Sequence, residues 1–287
     1  MKTFKTLAIT IMSFFTLSSC SFHIGNTKGE GEIITRDIET QPFKEVSVAG
    51  NIHVIFRQST GNRRVTFMAR ENLIDMVEAT VDDSTLRIKV KEEYVTVPDT
   101  FTVMIQAPVI TQAVVTGSGT FEAKSDIVAP SFKCNVTGSG NIALMKVTTG
   151  ETSIGVSGSG KILTEDFDCE SLYSVVSGSG DIRLQTVKVG KMDSKIAGSG
   201  VIQIHNIKAE SCRARITGAG DMSFDGTATY VDFNITGSGD IKASELQAKN
   251  GKAHTTGSGD IVCNVKENFE TTKTGSGNIR NIRRGKD

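Results

Sequence analysis

From residue 111 onward, apolar and polar positions alternate inside a longer repeat. Taking the first glycine of each Gly-Ser/Ala-Gly tripeptide as origin, position −2 carries Val115, Val136, Val156, Val176, Ile196, Ile216 and Ile235. Position +4 carries Phe121, Ile142, Ile162, Ile182, Ile202, Met222, Ile241, Ile261 and Ile279. Position +6 is mixed but often apolar, as at Leu144, Leu184, Ile204 and Phe224. A second apolar stretch follows around Val147, Phe167, Val187, Ile207 and Leu246. Alternation with period two, nested in a repeat of about twenty residues, predicts strands wound into stacked coils. It does not fit an amphipathic helix.

The punctuation is as regular as the alternation. The glycine pairs are Gly117/Gly119, Gly138/Gly140, Gly158/Gly160, Gly178/Gly180, Gly198/Gly200, Gly218/Gly220, Gly237/Gly239, Gly257/Gly259 and Gly275/Gly277. Successive motifs lie 21, 20, 20, 20, 20, 19, 20 and 18 residues apart. The glycines either adopt positive φ in a tight corner or sit where two walls approach too closely for a Cβ. In both cases Ser118, Ser139, Ser159, Ser179, Ser199, Ser238, Ser258 and Ser276 stack into a polar ladder. One coil cannot stand alone, because ordering each backbone unit costs roughly 1–2 kcal/mol and each buried aliphatic side chain returns roughly 1.5–3 kcal/mol. Coils stacked at about 4.8 Å share their ladders, and nine of them make a rod about 40 Å long. At the far end Thr255 and Lys273 replace the apolar −2 residue, and Arg280, Arg283, Arg284 and Lys286 read as a solvated cap that blunts an open edge.

Residues 33–110 lack this punctuation but keep the alternation. Val46–Val48, Ile52–Phe56, Val65–Phe67, Leu86–Val90 and Phe101–Ile105 read as strands, Asn72–Glu78 as one or two helical turns, and Asp82-Asp83-Ser84 as a turn. Val48-Ala49-Gly50-Asn51-Ile52 resembles a degenerate copy of the repeat, and Pro108 marks the passage into the array. Terminal units of solenoids must seal the core, so this region is expected to form irregular coils and a cap continuous with residues 111–287.

Residues 1–19 read as an export leader, with Lys2 and Lys5 ahead of an apolar run from Leu7 to Leu17 that is too short to span a bilayer. It closes on Leu17-Ser18-Ser19-Cys20, which resembles a bacterial lipobox and implies cleavage before Cys20 and acylation of its thiol. Residues 20–32 are polar and read as a flexible tether to the membrane.

Charge narrows the choice of partners. Lys+Arg and Asp+Glu both number 32, and loss of the leader leaves about −2. No basic excess points to nucleic acid. Tryptophan is absent and tyrosine occurs only at 94, 173 and 230, which leaves few platforms for sugar rings. Cys134, Cys169, Cys212 and Cys263 fall in different phases of the repeat, so no disulfide ladder is expected. Cys134, Cys212 and Cys263 share parity with apolar positions and read as small buried hydrophobes.

Candidate chemistry is sparse. Gly155–Lys161 satisfies the Gly-x-x-x-x-Gly-Lys half of a phosphate loop, but Ile162 stands where Ser or Thr must ligate magnesium. Asp181, Asp221, Asp240 and Asp260, with Asn141 and Asn278, follow the motif, and Asp221, Asp240 and Asp260 line up over three coils as the candidate calcium ligands. A hard cation needs six to eight converging oxygens, which one ladder rarely supplies. The histidines at 23, 53, 205 and 254 match no acid or nucleophile spacing, and the array has almost no insertions and coils too short to carry the long loops of a catalytic cleft.

The Ile105-Gln106-Ala107-Pro108 entry, the repeated Val/Ile-Ser/Thr-Gly-Ser-Gly-x-Ile unit and the lipobox leader resemble the bacterial GIN-domain family of auto-transporter adhesin heads, over about residues 43–260. The resemblance implies a right-handed single-stranded parallel β-helix on an envelope protein of the kind common in Bacteroidetes. It supplies no catalytic residues. The expectation is a lipid-anchored, non-enzymatic solenoid of the cell envelope, held at the outer membrane through Cys20, without cofactor or nucleotide, and binding envelope or host glycans or proteins. The alternatives are a carbohydrate-active β-helix enzyme and a calcium-stabilised surface module.

Overall fold

The computed structural model describes residues 29–91 and 101–283. The strands run β1 (Ile33–Ile38), β2 (Glu45–Ala49), β3 (Ile52–Gln58), β4 (Arg64–Arg70), β5 (Val77–Asp82), β6 (Thr85–Val90) and β7 (Phe101–Ala107), with a single 3-10 turn at Ile74–Met76. Next come β8 (Gln112–Gly117), β9 (Thr120–Ala123), β10 (Ile127–Val128), β11 (Ser131–Gly138), β12 (Asn141–Gly158), β13 (Lys161–Gly178), β14 (Asp181–Gly198) and β15 (Val201–Gly218). The array closes with β16 (Asp221–Gly237), β17 (Ile241–Gly257), β18 (Ile261–Val265), β19 (Phe269–Gly275) and β20 (Ile279–Asn281). The expected all-β solenoid is what forms, in about eight parallel stacked turns.

Each coil is one long strand bent around a core. In β13 the buried residues are Ile162, Thr164, Phe167, Cys169, Leu172, Ser174 and Val176. They step by two along a wall and by three between walls. Because a straight strand alternates its faces, each step of three marks a corner, and the coil has three walls. Neighbouring coils pair in register, so that Ile142, Ile162, Ile182 and Ile202 form one ladder through the core. Position −2 forms another, from Val115 through Val136, Val156, Val176, Ile196 and Ile216 to Ile235.

The motif glycines divide the two expected roles between them. The first of each pair takes the corner, as Gly178 does with φ +115° between the third wall and the first. For the second of each pair the close approach is the role that applies. Gly119, Gly140, Gly160, Gly180, Gly200, Gly220, Gly239, Gly259 and Gly277 have no positive φ and are all buried. Space, not backbone conformation, requires glycine there. A Cβ at Gly140, Gly200, Gly220, Gly239 or Gly277 would run into the carbonyl oxygen of the second glycine one coil earlier, and one at Gly119 into the carbonyls of Gly50 and Ile52. At Gly180 the added Cβ would lie 2.4 Å from Val156 Cγ1 and 2.6 Å from the Gly160 carbonyl oxygen. At Thr255 the apolar ladder is interrupted by a fully buried hydroxyl, which donates to the Gly259 carbonyl at 2.9 Å.

The N-terminal strands do not stack in chain order. The β2–β3 coil lies between β6–β7 on one side and β8–β9 on the other, all parallel. Gly50, with φ +92°, opens its corner as the first motif glycine does later. Beyond β7, β4 pairs antiparallel and β1 pairs antiparallel with β4, while β5 covers β6 in the same sense. The cap is tied by Arg64 to Asp37 at 2.8 Å and by Thr66 to Asp37 at 2.6 Å. One hydrophobic core runs from Phe43 to Val265.

Candidate binding face

The outer side of the third wall and its corner with the second carry two joined depressions. A groove of about 730 Å³ runs across successive coils past Ser131, Glu151, Ser171, Lys191 and Ser211, with Tyr173 and Arg213 beside it. A second, of about 840 Å³, shares Glu151, Ser171 and Lys191 and extends over the corner to Glu170, Lys208 and Glu210. The groove is straight because the coils are in register: Ser131, Glu151, Ser171, Lys191, Ser211 and Tyr230 are successive rungs of one column.

The next column outward reads Lys133, Ser153, Tyr173, Asp193, Arg213, Asp232 and Lys252. Most of its charges are paired from coil to coil, Asp193 also with Arg215 of the neighbouring column, while Lys133 has no ion pair among the described residues. Arg213 lies 3.2 Å from Asp232, Arg215 lies 3.1 Å from Asp193, and Lys252 lies 3.6 Å from Asp232. Tyr173 is 39% exposed, and its ring is steadied by the Lys195 ammonium 4.8 Å from the centroid. By contrast, the side chains of Glu151, Glu170, Lys191, Lys208 and Glu210 make no ion pair or hydrogen bond with the described residues. The chain therefore pairs most charges of that column, and Asp168 with Lys188 at 3.2 Å beside the groove, and leaves these five open to solvent.

The aspartate ladder has a different occupation. Asp221 Oδ1 accepts the backbone N–H of Asp240 at 3.0 Å, Asp240 Oδ1 accepts that of Asp260 at 3.0 Å, and Asp260 Oδ1 accepts that of Asn278 at 2.7 Å. In earlier coils the equivalent N–H bonds a glycine carbonyl, as Asp181 does with Gly160 at 3.0 Å. The carboxylates take over this duty where the coil beginning at Gly218 is a residue short. The Lys242 ammonium lies 3.8 Å from Asp221 and 3.9 Å from Asp240. Among the described residues no three His, Cys, Asp or Glu side chains are disposed to hold a metal ion.

The remaining candidates are dispersed. His205 Nδ1 meets Asp225 at 2.5 Å, His53 lies 3.4 Å from Glu122, and His254 bonds Thr256 at 2.9 Å. Lys161 of the phosphate-loop-like segment pairs with Asp181 at 3.6 Å, on a strand rather than before a helix. All four described cysteines are buried and free. Burial pushes the Cys169 thiol up to about 11 and that of Cys263 up to about 12, and raises Cys134 and Cys212 further. Such thiols stay protonated and unreactive.

The family description "Putative auto-transporter adhesin, head GIN domain" matches residues 42–206 and again residues 175–284. The chain belongs to the GIN-domain family. The second match restarts inside the array, as interchangeable coils allow. No functionally curated protein matches the sequence. Among solved structures, a "putative lipid binding protein" from Parabacteroides distasonis is 24% identical with a TM-score of 0.70, over 88% of this chain and 99% of its own. A "putative adhesin" from Parabacteroides merdae is 23% identical with a TM-score of 0.68, over 89% and 98%. At these identities the likeness is one of fold.

Of the positions singled out in the sequence of this GIN-domain protein, Cys20 and the leader lie outside the described residues. The motif glycines, from Gly117 and Gly119 to Gly275 and Gly277, gather along one corner of the solenoid, and none of them lines either depression. The serines between them form an exposed ladder in which Ser238 and Ser258 stand 3.5 Å apart. The groove escaped sequence reading, since each of its residues alone looks like an ordinary solvated side chain. Sorting residues 131–252 into columns by coil is the signal that could have found it.

Proposed function

We propose that this GIN-domain protein is a lipid-anchored, non-enzymatic solenoid of the cell envelope, and that its third wall is an adhesin-type binding face. The observation that carries this reading is the groove over Glu151, Ser171 and Lys191, a straight relief crossing successive coils whose lining includes charges, Glu151 and Lys191 among them, that the described residues do not pair. A site built on in-register strands is rigid, and extended ligands suit such a surface. Acylation at Cys20 would hold the rod on a membrane through about 0.8 kcal/mol per buried CH2, with residues 20–32 as tether. Among the described residues no helix is long and apolar enough to cross a bilayer.

Protease shaving of intact cells tests the reading. Digestion of the rod while a periplasmic control survives supports an outward-facing adhesin at the outer membrane. Protection until the outer membrane is opened sinks the adhesin role and leaves a periplasmic scaffold. The anchor is checked separately by metabolic labelling with a fatty acid, which Cys20→Ser should abolish.

A further inference from the structure

We infer that the groove on the third wall binds a neutral, extended polysaccharide, with Tyr173 and Tyr230 as its two stacking platforms. The inference deepens the adhesin reading and rests on it for its biological setting. Three observations converge on this ligand class. The first is charge: the two joined depressions are lined by five cationic and five anionic side chains, interleaved along the groove. A polyanion or polycation gains nothing net from such a lining, whereas a neutral chain rich in hydroxyls finds donors and acceptors at every rung.

The second is the absence of a free backbone edge. β13, β14 and β15 each bond a neighbour on both sides, so a peptide cannot add to this wall as a further strand. What the groove offers is side-chain chemistry: the hydroxyls of Ser131, Ser171 and Ser211 beside the charges of Glu151 and Lys191.

The third is the placement of the aromatics. Both tyrosines among the described residues stand on the outer side of this wall, Tyr173 lining the groove and Tyr230 one rung past Ser211, where the groove column continues beyond the lining of either depression. They are three coils apart, about 14 Å at about 4.8 Å per coil. Lys195 holds the Tyr173 ring, and the rung on its other side carries only Ser153 and Gly155, which leaves room for a flat ligand. A chain lying along the axis would meet one ring, cross the serine and charge rungs, and meet the other. Sugar rings present an apolar face to such platforms and hydroxyls to their surroundings.

Native gels cast with soluble neutral polysaccharides (laminarin, xyloglucan, α-mannan, dextran) or with the polyanions alginate and heparin test this on the purified, leaderless chain. Retardation by at least one neutral polymer and by neither polyanion is expected. Tyr173→Ala and Tyr230→Ala should each weaken it about three- to tenfold, and the double variant should abolish it. Leu163→Ala, an exposed change on the first wall, should leave it intact. No retardation by any neutral polymer, retardation by the polyanions instead, or full retention by the folded double variant overturns the inference. Because the gel uses soluble protein, those results leave the shaving experiment to decide the adhesin reading on its own.

Discussion

A Cβ added at Gly180 would fall 2.4 Å from Cγ1 of Val156, the −2 residue one coil earlier. The contact repeats at Gly140, Gly160, Gly200, Gly220 and Gly259, where the inward glycine makes room for the valine or isoleucine stacked beneath it. Gly180→Ala should therefore destabilise the protein by about 1–3 kcal/mol through overpacking. The Gly160 carbonyl oxygen, 2.6 Å from the same Cβ, belongs to backbone that cannot swing aside. Gly178→Ala should cost at least as much, because its φ of +115° adds to a Cβ contact of 2.7 Å with the Gly158 carbonyl oxygen. Ser179→Ala, between them and exposed, should stay within about 0.5 kcal/mol. Denaturant midpoints of the three variants check the ordering.

The aspartates at the C-terminal end stabilise backbone, and their substitution should show it. Asp240→Ala leaves the Asp260 N–H without its acceptor and should cost about 1–2 kcal/mol. Asp240→Asn keeps an acceptor oxygen, the residue type already present at Asn278, and should cost much less. Amide exchange should quicken at Asp260 and Ile261 in the alanine variant alone. Calcium or chelator should leave the melting temperature unchanged, because each Oδ1 is already engaged and Lys242 sits against two of the carboxylates.

The buried thiols set an alkaline limit on stability. Below the ordinary thiol value of 9.0, native and unfolded chains both hold the proton, so these groups add no pH dependence. Above it the unfolded thiols ionise while the native ones cannot, and stability falls, for Cys169 until about 11 and for Cys263 until about 12. Cys169→Ala should flatten part of that slope between pH 9 and 11. In a Cys20→Ser background a thiol reagent at pH 8 should find no reactive cysteine until denaturant is added.

How much of this was legible in the sequence depended on the column. The −2 and +4 ladders could be read because nearly every coil repeats a valine or isoleucine there. The column of Cys134, Ile154, Ser174, Ser194, Ala214, Phe233 and Ala253 could not, although it is equally buried. Coils share one core, so a large Phe233 fills space left by Ala214 and Ala253, and no residue type recurs. Cys169 was missed for a geometric reason, since two corners shift parity within its coil. The two glycines of a motif could not be told apart either, because a corner and a close approach leave the same residue type in the sequence. The insertion of β2–β3 between β6–β7 and β8–β9 was hidden as well, because alternation tells which side of a strand faces inward and nothing of its neighbours. The groove lay beyond sequence reading because it is made by register alone.

Register also exposes a flaw in the core that can be corrected. Thr164 is 3% exposed and stands in a column between Leu144 and Leu184, and its hydroxyl has no hydrogen-bond partner among the described residues. A buried hydroxyl without a partner costs about 1–3 kcal/mol. Thr164→Val keeps the shape and removes the polar atom, so it should stabilise the protein by about 1 kcal/mol. Thr152 provides the control. It is just as buried, but its hydroxyl bonds that of Thr149 at 2.6 Å, so Thr152→Val should give no gain and strand its partner. Opposite shifts of the two unfolding midpoints are the expected result. A loss of stability in Thr164→Val would mean that its hydroxyl finds a bound water in solution, and the position would then be a built polar site rather than a flaw.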